Sequence, residues 1–114
     1  MAHAIGDYES GQIRLATHDG LTEVGVHWPF DRETDEWIDL TAQFRSLELQ
    51  SAAQSQPQAV LLHEFQENTI SLKLLEDGRF RILLKGRNSL GPAEADLILP
   101  NRIGAELRQT LAEG

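Results

Sequence analysis

The chain has 114 residues, 40% of them hydrophobic and 25% charged, which is the composition of an ordinary globular domain rather than a disordered or membrane-embedded chain. Eighteen Asp and Glu against ten Lys and Arg give a formal net charge of −8, which repels a phosphate backbone and excludes nucleic acid as the expected partner. The absence of cysteine excludes disulfides, thiolate metal sites and thiol nucleophiles, and no apolar run approaches the roughly 18 residues of a membrane-spanning helix.

The start, MAHAIGDYES, has neither a basic segment nor an apolar stretch of signal-peptide length, so a cytoplasmic location is the default. Residues 1–10 show no periodicity and are expected to be disordered at the edge of a single domain spanning 1–114. Ile13 and Leu15 then alternate with Gln12, Arg14 and Ala16, as in a half-buried strand. Asp19-Gly20 supplies a hairpin turn, and Leu21 to Phe30 returns as a second strand with Val24, Val26 and Trp28 on one face.

Beyond Pro29 the segment DRETDEW predicts a helix over about 34–50. Asp31 or Thr34 can cap it, and Asp35, Glu36 and Asp39 oppose the positive end of its dipole. Trp37, Leu40, Phe44 and Leu47, three or four apart, would form its apolar stripe. Residues 51–58, SAAQSQPQ, read as a loop.

Strand signals resume at Ala59 to Phe65 and Thr69 to Leu75, and Glu76-Asp77-Gly78 marks a hairpin into Phe80, Ile82 and Leu84. After a loop at Asn88 to Pro92, Ala93 to Leu99 gives a last strand. Ile103, Leu107 and Leu111, four apart, close the chain as a helix. The expected order is β-β-α-β-β-β-β-α, without an internal repeat. It implies an α+β two-layer sandwich, a mainly antiparallel sheet of five or six strands with two helices on one face. Trp37, Phe44, Leu72, Ile82, Leu97 and Leu107 are the expected core.

No catalytic residue, cofactor site or metal site emerges. His3, His18, His27 and His63 are scattered, and HEFQE at His63 lacks the second histidine of a zinc helix and lies in a strand. Asp35-Glu36 belongs to the expected helix start and Glu76-Asp77 to a turn. Glu94 and Asp96 share a strand face with nothing to complete a coordination shell. Lys73, Arg79, Arg81 and Lys85 form a basic stripe without the aromatics of an RNA-binding sheet, and read as cross-strand partners of nearby acids. An enzyme is therefore not expected.

The unusual stretch is FDRETDEWID, Phe30 to Asp39, with five acids and one base, beside Trp28 and including Trp37. Trp28, Phe30, Asp31, Glu33, Asp35, Glu36 and Asp39 compose the expected partner-binding surface, an acidic rim around aromatic anchors suited to a basic protein. The helix form DEWIDLTAQFRSLE, the strand entry at Phe65, Glu67 and Ile70-Ser71-Leu72, and the Asp77-Gly78 hairpin give residues 11–113 a pattern that resembles the small immunity proteins of bacterial polymorphic-toxin systems, the WapI-like group. That resemblance implies a protein that binds a cognate toxin domain and blocks its active site without catalysis of its own. An adaptor or homo-oligomeric subunit using a free sheet edge is the second expectation. A small-molecule enzyme is the third.

Overall fold

The computed structural model describes residues 2–7, 9, 11–55 and 60–113. Four strands come first, β1 (Ala2–Asp7), β2 (Gly11–His18), β3 (Leu21–Asp31) and β4 (Glu36–Arg45), followed by helix α1 (Ser46–Ser55). Four more follow, β5 (Val60–Phe65), β6 (Asn68–Leu74), β7 (Phe80–Asn88) and β8 (Gly91–Leu99), and then α2 (Asn101–Glu113). The α+β class and the antiparallel pairing agree with the sequence. Two features differ: the described residues form eight strands rather than five or six, and the order ββββα occurs twice. Each unit is an antiparallel meander, so the two share an element order although the sequence shows no internal repeat.

The turns follow from backbone chemistry. Asp19 and Gly20 both have positive φ, 52° and 78°, as a two-residue hairpin loop requires. At the β6–β7 hairpin the Asp77 Oδ1 accepts the Arg79 backbone N–H at 3.1 Å, an Asx turn. The expected irregular start instead contributes β1, whose Ile5 pairs with Ile13 and is buried.

The helix expected over 34–50 is the main correction. Residues Glu36–Arg45 form a strand, and only Ser46–Ser55 is helical. Leu40, Ala42 and Phe44 are buried and alternate with exposed Asp39, Thr41, Gln43 and Arg45, a period of two. The acids expected to cap a helix instead make the β3–β4 turn, where Asp31 Oδ1 accepts the Glu33 N–H at 2.9 Å and Asp35 takes φ 57°. A helix cap and an Asx turn use the same carboxylate-to-amide bond, so the same residues suit both. Trp37 consequently leaves the expected core and sits half-exposed on the opposite strand face from Leu40, and Leu47 is 80% exposed.

The two meanders meet where Thr41 of β4 pairs with Arg87 of β7. A Cβ at the neighbouring Gly86 would come 2.2 Å from the Thr41 carbonyl oxygen, so only glycine permits this crossing. Phe44, Leu72, Ile82, Leu97 and Leu107 are all buried as expected, in one cluster with Ile13, Val26, Leu40 and Leu49. The helices join that cluster through Leu49, Ala53, Ile103, Leu107 and Leu111, and Gln54 Nε2 donates to the Ala112 carbonyl at 3.1 Å, linking α1 to α2. Among the described residues, no helix is long and apolar enough to cross a membrane.

Candidate binding surface

Because strand side chains alternate, the burial of Ile13, Leu15, Val24, Val26, Leu40, Ala42 and Phe44 obliges the residues between them to face solvent. The pairing register arranges these exposed residues in rows across the first meander. One row is Gln12, His27 and Asp39, the next is Ala4, Arg14, Gly25 and Thr41, and the third is Ala16, Glu23 and Gln43. The middle of this face is floored by small side chains and forms a hollow of about 650 Å³. A second hollow of about 520 Å³ continues past Thr41 to Asn88–Leu90, and a third of about 430 Å³ reaches the 66–68 turn. The hairpin ends of the second unit thus flank the exposed face of the first.

One rim of the trough is aromatic. His27 stacks on Trp37 with ring centroids 4.5 Å apart and planes within 7°. The Trp37 indole N–H donates to Asp35 Oδ1 at 3.2 Å, which joins the trough to the β3–β4 turn. Arg14 Nε donates to Gln12 Oε1 at 3.1 Å, and Arg87 pairs with Glu67 at 3.0 Å on the far wall. Neither Glu23 nor Asp39 has an ion-pair partner among the described residues.

The seven surface residues expected from sequence separate into three places. Phe30, 69% exposed, stands with Asp31, Glu33, Asp35 and Glu36 at the end of the β3–β4 hairpin. Arg32 Nη2 donates to the Glu9 carbonyl at 3.5 Å there. Asp39 lies in the trough rather than at the turn. Trp28 belongs to the inner side of β3, half-buried against the core and over Gly11, so it is not presented with Phe30. The His27–Trp37 stack and the Arg14–Gly25–Thr41 row were missed, because they join residues from separate strands. The alternation of Asp39, Thr41 and Gln43 with Leu40, Ala42 and Phe44 is the signal that could have found them.

Of the four cations in the basic stripe of the second meander, Arg81 has an acid partner across the strands and Arg79 has one within its own turn. Arg81 holds Asp96 in two hydrogen bonds of 2.7 and 2.5 Å, and Arg79 holds Asp77 at 2.6 Å. The hydrogen bond from Arg81 keeps the Asp96 carboxyl below its usual range, and Arg79 does the same to Asp77. His63 lies on β5, not a helix, with Nε2 buried, unbonded, and 3.7 Å from Glu48 Oε2. Among the described residues, no group of three or more His, Asp or Glu side chains is placed to share a metal ion.

No protein-family model matches the chain, and no curated protein matches it significantly. Among solved structures, a chain from the crystal structures of Trypanosoma bruciei MRP1/MRP2 superposes with a TM-score of 0.58 at 8% identity, over 99% of this chain and 81% of that one. At that identity the likeness is one of fold.

Proposed function

We propose that this chain is a non-catalytic binding protein that engages a basic protein partner through the β3–β4 hairpin end and the adjoining exposed face. In this reading it is a two-layer scaffold whose helices cover one side of the strands and leave the other free for the partner. The observation that carries it is the hairpin end itself. An exposed Phe30 shares the hairpin end with four acids, Asp31, Glu33, Asp35 and Glu36, in a chain of net charge −8. Apolar anchors give such interfaces their residence time and charged rims give them their association rate. The resemblance to WapI-like immunity proteins makes a bacterial toxin domain with a basic active-site cleft the leading partner. An adaptor or homo-oligomeric subunit is the second reading, favoured by β1, β5 and β8, each of which pairs along one edge. Co-expression with the product of the neighbouring gene, followed by native mass spectrometry, separates the two. A defined complex of the chain with that product supports the first. Self-association alone supports the second, and recovery of a small metabolite contradicts both.

A further inference from the structure

Gly25 lies at the centre of the exposed face, between Arg14 and Thr41. Strand interiors select against glycine, and it persists there where a bulge, a close backbone or a ligand requires it. Gly86 has such a reason inside the chain, since β4 crosses it. Gly25 has none. Its φ lies outside the positive region, its pairing with Arg14 and Thr41 is regular, and an added Cβ would meet Thr41 Cγ2 at 3.5 Å and Arg14 Cβ at 3.9 Å, both ordinary contacts. The backbone tolerates a Cβ here, and leaving it out deepens the hollow.

Charge selects what would fill that hollow. Glu23 and Asp39 stand at opposite ends, four positions apart along β3, or about 13 Å. Arg14 is the only cation of the central hollow among its described lining residues, and it leans to Gln12 at the Asp39 end. Glu23 is thus left as an unpaired carboxylate beside Ala16 and Gln43. We infer that the Gly25 trough receives a basic segment of the partner polypeptide, with a Lys or Arg side chain laid over Gly25 and its charged end at Glu23; this rests on the basic-partner reading above. The aliphatic stem of a Lys or Arg suits a floor of Ala4, Ala16, Gly25 and Thr41, and its head needs the carboxylate at the end.

The test uses fluorescein-labelled octalysine with the full chain, followed by anisotropy and by amide shifts. Octalysine is expected to bind and to move the amides of Glu23 to His27 and Asp39 to Gln43. Gly25→Val, which changes no charge, is expected to weaken binding by about tenfold while leaving the melting temperature equal or higher. Gly25→Ala is the smaller variant should valine disturb the sheet, and is expected to weaken binding less. Glu23→Gln is expected to weaken it as well. If both Gly25 variants bind octalysine like the wild type while Asp35→Lys/Glu36→Lys weakens it, the trough assignment is overturned and the hairpin reading stands. If octalysine does not bind, or octaglutamate binds more tightly, both readings are overturned.

Discussion

Gly86 of β7 lies against the carbonyl of Thr41 of β4 so closely that a methyl group there would sit 2.2 Å from the oxygen. This is where the two ββββα units meet. Gly86→Ala must therefore move backbone rather than a flexible side chain, and a loss of about 1–3 kcal/mol or more is expected in urea unfolding. Gly25→Ala, in a comparable strand interior where the added methyl meets only ordinary van der Waals contacts, is expected to lose nothing. Equal losses at the two positions would refute the crossing geometry.

Phe44 is fully buried, whereas Trp37 is half-exposed on the other face of the same strand. Phe44→Ala is expected to cost about 3–5 kcal/mol, as removal of a core aromatic does. Trp37→Ala loses its stack on His27 but opens no core cavity, and is expected to cost about 0.5–1.5 kcal/mol. Thermal melts of the two variants check the strand assignment directly, because a helix over 34–50 would make both losses large.

How the chain disclosed its fold follows from which signals were unambiguous. Asp19-Gly20 identifies a hairpin because both residues take positive φ, Asp77-Gly78 does so through the positive φ of Gly78 and the Asx turn of Asp77, and the alternation around Ile70, Ile82 and Leu97 has one interpretation. The segment from Asp31 to Phe44 has two. Its carboxylates bond backbone amides equally well in a turn or at a helix start, and Trp37, Leu40 and Phe44 happen to fall at helical spacing. The acids of the candidate site were legible as acids. The trough was not, since Arg14, Gly25 and Thr41 become neighbours only through the register of three strands.

The Arg81–Asp96 pair gives a pH signature. Hydrogen bonding from Arg81 lowers the folded-state pKa of Asp96, so its contribution to stability is present above the unfolded carboxyl value of about 3.9 and is lost as pH falls through the folded value. Both side chains are about half exposed, 50% and 43%, so the effect is small and salt-screened. Asp96→Asn is expected to be slightly less stable than the wild type at neutral pH. The difference should disappear in acid below the ordinary carboxylate range. A gap that persists unchanged into strong acid would assign it to packing instead.

The most direct test of basic-partner binding is stopped-flow association with the purified neighbouring-gene product across a range of ionic strengths, comparing the wild type with Asp35→Lys/Glu36→Lys and Phe30→Ala. The charge-reversed chain is expected to associate about tenfold or more slowly at low salt and to converge on the wild type as salt screens the rim. Phe30→Ala is expected to keep the association rate and dissociate faster. Identical rates for all three chains at every ionic strength would contradict an interface at the β3–β4 hairpin end.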